Sequence, residues 1–229
     1  MYLLIPAAGV GHRMKSSQNK LLLTLFNKPL IAWTLLAAEA SVHIHWIGLI
    51  ARPEDFSDFQ EIIANLALTK PVFFIIGGET RQDSVYNGLQ SLAITAKHVL
   101  IHDGARCLVT PDLFDRCAEA ILHCQGLIAA IPVKDTIKIV QKETYLVTNT
   151  PDRSQLWAAQ TPQGFELEQL LQCHIEGRRQ GWKVTDDATL LEQCQMPVQI
   201  VKGEETNLKV TTPMDLAVAE FILRQRLGE

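Results

Sequence analysis

The chain has 229 residues, 47% of them hydrophobic, which suits one large domain with a substantial core. Its 21 basic and 25 acidic side chains leave a formal charge of −4. That excludes a general nucleic-acid surface, so any anion is expected to meet a local cluster of cations.

In chain order, residues 3–5 read as a strand that opens into Pro6-Ala7-Ala8-Gly9-Val10-Gly11-His12-Arg13-Met14, with Lys20 close behind. Small residues let backbone N–H groups approach a ligand, and cations then neutralise it, a combination that suits a polyphosphate. Met14 stands where a dinucleotide fingerprint needs its third glycine, and Ala51-Arg52 follow the next apolar run where it needs an acid. No G-x-x-x-x-G-K-[ST] occurs either. A tight strand-to-helix connection with incidental basic residues is the other reading of this loop.

A helix is predicted at 29–40, a strand at 44–50, a helix at 54–68 and a strand at 72–76. A helix at 81–92 and a strand at 99–101 follow. Thr110-Pro111 supplies an N-cap and a first-turn proline for a helix to about 124. A strand is predicted at 127–131. The alternation predicts an α/β fold, a Rossmann-like doubly wound, mixed but mostly parallel sheet with helices on both faces. After Pro132 the pattern changes. Residues 135–140 and 145–148 read as a hairpin arm, too small for a core of its own and expected to pack on another element or subunit. Residues 156–160 return to the sheet, helices follow at 166–180 and 186–193, and strands at 199–201 and 208–210. Thr212-Pro213 opens a last helix. The whole is expected to be a single domain over 1–229, with 135–153 as the arm.

The five cysteines, at 107, 117, 124, 173 and 194, form no C-x-x-C, which argues for buried free thiols in a reducing compartment. No signal peptide and no membrane-spanning apolar stretch is seen. The expectation is a cytoplasmic protein of bacterial type, or a plastid one whose transit peptide has been removed.

In open α/β sheets ligands bind beyond the carboxyl ends of the strands. Gly9, Gly11, Arg13 and Lys20 fall there, as do Gly78, Arg81, Asp83 and Ser84. So do His102-Asp103-Gly104-Ala105-Arg106 and Lys134-Asp135-Thr136. Asp103 reads either as a turn residue or as a ligand of Mg²⁺, which is held by one or two carboxylates and substrate phosphates. Asp83-Ser84 could be a helix first turn, Lys209 a solvent-facing strand residue, and Thr185-Asp186-Asp187 a helix N-cap.

Taken together, the first loop with Lys20, Gly77-Gly78 through Arg81-Gln82-Asp83-Ser84-Val85, and His102-Asp103-Gly104-Ala105-Arg106 form a recognisable set. It continues through Pro132-Val133-Lys134-Asp135-Thr136-Ile137-Lys138, Asp152-Arg153, Gln160-Thr161-Pro162-Gln163, Thr185-Asp186-Asp187-Ala188 and Asn207-Leu208-Lys209-Val210-Thr211. The set resembles the sugar-phosphate nucleotidylyltransferases, and within them the 2-C-methyl-D-erythritol 4-phosphate cytidylyltransferases, over nearly the whole chain.

The resemblance implies a transfer of CMP from CTP to the polyol phosphate on the non-mevalonate isoprenoid route. It implies that Ala7, Ala8, Gly78 and Ser84 form the cytosine and ribose pocket, with Gly9, Gly11, Arg81 and Asp83 also on the CTP side. Arg13 and Lys20 would hold the triphosphate, and Asp103 would face Mg²⁺ and the reacting phosphates with Arg106 nearby. Arg106, Thr185 and Lys209 would bind the acceptor, and Arg13, Lys20, Asp103 and Lys209 would serve catalysis. Thr136 and Arg153, on and just after the arm, would complete the site of a partner subunit in a homodimer. Asn19, Leu21 and Cys107 depart from the family pattern, which usually has proline, glutamine and proline there; the first two bear on how the loop closes. A ribitol 5-phosphate cytidylyltransferase and a non-catalytic nucleotide sensor of the same fold are the alternative readings.

Overall fold

The computed structural model describes residues 1–9, 19–92 and 95–228. Its elements in chain order are β1 (Tyr2–Pro6), β2 (Thr24–Leu25), β3 (Lys28–Pro29), α1 (Leu30–Ala40), β4 (Trp46–Ala51) and α2 (Phe56–Ala64). Then come β5 (Val72–Ile76), α3 (Arg81–Gln90), β6 (His98–Ile101), α4 (Pro111–Ala120), β7 (Gly126–Pro132), β8 (Ile139–Val140) and β9 (Val147–Asn149). The chain finishes with β10 (Trp157–Glu166), α5 (Leu167–Gln180), α6 (Ala188–Gln193), β11 (Gln199–Lys202) and α7 (Pro213–Leu227).

Seven strands form one sheet in the order β11-β7-β10-β6-β1-β4-β5. β1 pairs parallel with β4 and β6, β4 with β5, and β7 with β11. β10 runs antiparallel between β6 and β7, its register shifting between Ala159 and Gln163. The mixed, mostly parallel doubly wound sheet is therefore as expected. Successive side chains of a strand face opposite sides of the sheet, and β1 divides accordingly. Leu3 and Ile5 join α1, α2 and α4 through Ile31, Phe59 and Phe114. Leu4 joins α3, α5 and α6 through Val85, Leu170 and Leu191. Fully burying side chains of this size stabilises by about 1.5–3 kcal/mol each. A third cluster, with Leu25, Leu30, Val210 and Leu223, seats α7 against β2.

Threonine starts three of the helices. Thr80, Thr110 and Thr212 each accept a hydrogen bond from the backbone N–H three residues on, and Thr212 forms a capping box with Asp215. Each cap contributes about 1 kcal/mol.

Some readings need correction, and one element was not foreseen. Residues 208–210 are not a strand. Leu208 and Val210 alternate because they seat in the α7 cluster, and Val210 N–H donates instead to Ala105 O at 2.8 Å. The return strand does not stop at 160 but runs through Pro162 and Gly164 to Glu166. The β2–β3 hairpin was not foreseen, since a two-residue strand carries no period. Helix α1 begins at Leu30, with Pro29 as its N-cap.

The arm leaves at the end of β7 and returns at the start of β10, so it joins two antiparallel neighbours. Its ladder is shorter than expected, β8 against β9 alone, and every residue of both strands is exposed. Arg153 Nη1 donates to Lys134 O at 2.7 Å across its base. Tyr145, at 81% exposure, sits at the tip beside the exposed Leu146 and Val147.

Candidate active site

The carboxyl ends of four parallel strands, β1, β4, β5 and β6, close on one another. Ala7 N–H donates to Ile50 O at 2.7 Å, Gly77 N–H to Ala51 O at 2.9 Å, and His102 N–H to Leu4 O at 2.9 Å. Above them lies a cavity of about 340 Å³. Its walls include Ala7, Ala8 and Gly9 after β1, Gly78, Arg81 and Ser84 around the start of α3, and Asp103 after β6. Lys20 and Lys209 complete it.

Close packing explains the small residues. A Cβ on Gly78 would lie 2.4 Å from Asp83 Cβ, and one on Gly77 2.6 Å from Ala8 Cβ, so the α3 loop can press against β1 only as glycine. Ser84 Oγ accepts from Gly78 N–H at 3.0 Å and donates to Thr80 O at 2.9 Å. Its hydroxyl therefore shapes the wall.

Asp103 is the electrostatic centre. Its Oδ2 is 2.7 Å from Lys209 Nζ and 4.0 Å from Arg106 Nε, and its Oδ1 is 3.4 Å from Arg81 Nε. Burial alone would raise its carboxyl, but Arg81, Lys209 and Arg106 outweigh burial and hold it below the usual carboxylate range. Arg106 is drawn to backbone carbonyls, with Nη1 2.9 Å from Asn207 O and Nη2 3.2 Å from Ala159 O. It braces the wall from outside the cavity lining. Lys20 Nζ donates to Val210 O at 3.0 Å, across 190 residues of chain, which brings it to the Lys209 segment.

Two buried polar clusters hold these groups in place. Thr161 Oγ1 accepts from Asp103 N–H at 3.0 Å and sits 3.0 Å from His102 Nδ1, while His102 Nε2 is 3.2 Å from Arg106 O. Burial pushes the His102 imidazole down to about 4, so at neutral pH it is uncharged. A neutral ring satisfies both contacts if Thr161 donates to Nδ1 and Nε2–H donates to Arg106 O. Asn19 anchors the other lysine. Fully buried, its Nδ2 donates to Ala7 O at 2.7 Å and to Asp55 Oδ2 at 2.9 Å, and its Oδ1 accepts from Leu21 N–H at 3.1 Å. A proline there could make none of these side-chain bonds, so the asparagine serves as a hydrogen-bonded clamp.

The structure thus brings together Ala7, Ala8, Gly9, Lys20, Gly78, Arg81, Ser84, Asp103 and Lys209. Gly11 and Arg13 lie outside the described residues. Asp83 turns away from the lining, accepting from Thr80 Oγ1 at 2.6 Å and Arg178 Nη2 at 2.9 Å. Thr136 and Arg153 are exposed on the arm, and Thr185 is exposed just ahead of α6. Sequence reasoning missed Glu79 and Thr80, which line the cavity, and the role of Gln163, whose Oε1 accepts from the backbone N–H of Asp187 and of Ala188. The strand-end position of Glu79-Thr80 was the available signal; nothing around Gln163 pointed to its partners.

Among the described residues no group of three or more His, Cys, Asp or Glu could hold a metal. Asp103 and Glu79 are the carboxylates that these residues bring to the lining. That donor set fits Mg²⁺, which keeps water and takes its remaining ligands from substrate phosphates.

A doubly wound sheet whose strand ends gather Ala7-Ala8-Gly9, two lysines and an ionised aspartate around one cavity suits a nucleotide polyphosphate, and the chain's relatives make the class that of the nucleotidyltransferases. The family model described as IspD: 2-C-methyl-D-erythritol 4-phosphate cytidylyltransferase matches residues 1–225. A 2-C-methyl-D-erythritol 4-phosphate cytidylyltransferase of Crocosphaera subtropica is 68% identical over 226 residues, covering 99% of each chain. One from Nostoc sp. is 67% identical at the same coverage. Among solved structures, the 4-diphosphocytidyl-2C-methyl-D-erythritol synthase of Anaerococcus prevotii superposes with a TM-score of 0.86 at 29% identity, covering 97% of this chain and 95% of that one. The 2-C-methyl-D-erythritol 4-phosphate cytidylyltransferase of Thermus thermophilus gives 0.75 at 32% identity, covering 97% and 98%. The chain belongs to the IspD family.

Proposed function

We propose that this chain transfers CMP from CTP to 2-C-methyl-D-erythritol 4-phosphate. The products are 4-diphosphocytidyl-2-C-methyl-D-erythritol and pyrophosphate, on the non-mevalonate route to isoprenoid precursors. The observation that carries the reading is Asp103 paired with Lys209 and Arg81 in a cavity that Lys20 also lines.

The second pKa of a phosphate monoester is about 6, so at neutral pH the acceptor phosphate is already mostly a dianion and needs no general base. The remaining difficulty is bringing two polyanions together and stabilising charge at the α-phosphorus. Lys20 and Arg13 hold the triphosphate, and Lys209 bridges the acceptor phosphate and the α-phosphate. The glycines and alanines give the nucleotide room against the backbone. Asp103, kept ionised, and Glu79 are the residues that would hold Mg²⁺, which when bound supplies charge neutralisation on the phosphates. The acceptor's phosphate oxygen attacks the α-phosphorus, and the bond to the β-phosphate bridging oxygen breaks to release pyrophosphate.

Thr136 and Arg153 complete the acceptor site of a second copy, with the apolar arm tip, Tyr145, Leu146 and Val147, supplying contact surface for a homodimer. A chain that sediments as a monomer at assay concentration would sink that part. The enzyme works in the cytoplasm, a setting that five free cysteines fit. No helix among the described residues is long and apolar enough to cross a membrane.

Pyrophosphate release from CTP, measured with the methylerythritol phosphate, with ribitol 5-phosphate and with neither, tests the assignment. Release with the first alone is expected. Release with ribitol 5-phosphate alone overturns the acceptor, and no release with either overturns catalysis.

A further inference from the structure

Asp187 lies outside the cavity lining, yet it is a carboxylate only 1% exposed. It stands immediately before α6, two residues after Thr185. Its Oδ2 is 2.8 Å from Arg81 Nη1, and its Oδ1 is 3.6 Å from Nε2 of the fully buried His174 on α5. Arg81 therefore spans two acids, with Nη1 toward Asp187 and Nε 3.4 Å from Asp103 Oδ1. Burial alone would raise the Asp187 carboxyl, but Arg81 and His174 beside it outweigh that and hold it low.

Stability alone does not account for this arrangement. Taking a carboxylate out of water costs several kcal/mol, and a buried ion pair is often no more stabilising than well-packed apolar side chains. What the charge adds is direction. With Asp187 behind it, the guanidinium is divided between two carboxylates, and Asp103 Oδ2 is left to Lys209. Without Asp187, Arg81 keeps Asp103 as its acidic partner among the described residues. It is then free to turn into a two-pronged pair with Asp103, of the kind that Arg and carboxylate favour. That would tie up Asp103 in competition with Lys209. Asp187 is also fixed from the backbone side. Gln163 Oε1 accepts its N–H at 3.2 Å, and Gln163 Nε2 donates to Asp186 at 2.8 Å.

We propose that Asp187 is a positioning residue that acts through Arg81, joining the Thr185 segment to the nucleotide cavity so that the acceptor side and Asp103 are set by one chain of contacts. This rests on the two-substrate reading above.

The test uses the whole enzyme and Asp187→Asn, which keeps the shape and removes the charge. The side-chain Nη1–H resonance of Arg81, the group that faces Asp187, is assigned by its loss in Arg81→Lys and read by NMR alongside steady-state kinetics. In the parent the resonance is expected to be protected from solvent exchange. In Asp187→Asn protection is lost and kcat falls about 10- to 100-fold, the scale of a misplacement of ~1 Å. In the Arg81→Lys background the same change has a smaller effect on kcat. Parental kcat in a folded Asp187→Asn, even one that melts lower, overturns the proposal, because a plain structural staple predicts that result. Additive effects with Arg81→Lys overturn it too. Should the Asn variant not fold, the ligand-free parent decides. A protected Arg81 Nη1–H supports the link, and one that exchanges like an exposed arginine overturns it. A parent that releases no pyrophosphate fails the functional reading instead, while the resonance still judges the Arg81 link.

Discussion

Asp103 lines the candidate cavity and Arg153 is proposed to serve the acceptor site of a second copy, and their surroundings share almost nothing. Asp103 is 9% exposed, held by cations from three separate segments and by a backbone hydrogen bond to a buried threonine. Arg153 lies on the surface, tied by one hydrogen bond to Lys134 O, at the base of a hairpin whose paired residues are all exposed. The lesson lies in how order is obtained. The cavity is set within one chain, by burial and by groups that cannot be left unpaired. The arm has no core, so its position must come from whatever it lies against.

The contrast can be broken most forcefully at the lysines. Lys20→Ala and Lys209→Ala should each lower kcat by about 100-fold or more, the cost of losing one preorganised charge contact. The unfolding midpoint should stay near that of the parent, and pyrophosphate release with a parallel melt checks both. Near-normal turnover in either variant would remove that lysine from the mechanism.

Acid separates the regions in stability. His102 is held neutral by burial, down to about 4 from an ordinary 6.5. The unfolded chain therefore binds the extra proton first. The stability tied to the neutral ring is complete above pH 6.5 and is lost as pH falls toward 4. At about 1.4 kcal/mol per pKa unit that is roughly 3 kcal/mol. Urea unfolding at about pH 7 and about pH 4.5 should show the loss in the parent and a smaller one in His102→Asn. Equal losses would mean that other groups carry it. The arm has no histidine to contribute.

The smallest effect belongs to the arm. Arg153→Ala should raise KM for the acceptor about tenfold, equivalent to ~1.4 kcal/mol of binding. CTP affinity by calorimetry and the melting midpoint should not change. A matching fall in CTP affinity would place Arg153 with the nucleotide and erase the distinction.

Much of this was legible from residue order. The strand-end rule gathered Ala7, Gly78, Arg81 and Asp103 because parallel strands bring their carboxyl ends to one edge, whatever separates them in sequence. Period and capping located the long helices for similarly local reasons. Pairings that depend on three-dimensional closure were not legible. Nothing about Lys209 or Val210 says that they meet Asp103 and Lys20, and nothing about Gln163 says that it holds the start of α6. β10 was cut short because Pro162 and Gly164 normally end a strand. Here the ladder shifts register between Ala159 and Gln163 and continues. Asn19 was visible only as a departure, and its three hydrogen bonds had to be seen to be understood.

The route of the chain between β7 and β10 has one more consequence. These strands are antiparallel neighbours with Pro132 opposite Trp157, so a tight turn would be enough to connect them. The intervening segment is a loop far longer than folding requires. Loop-closure entropy grows only logarithmically, by about 0.6 kcal/mol for each doubling of length. Residues can therefore be added to or trimmed from this excursion at little thermodynamic cost to the sheet. The part of the molecule that reaches outward can change in length while the nucleotide cavity, which takes no lining residue from it, stays unchanged.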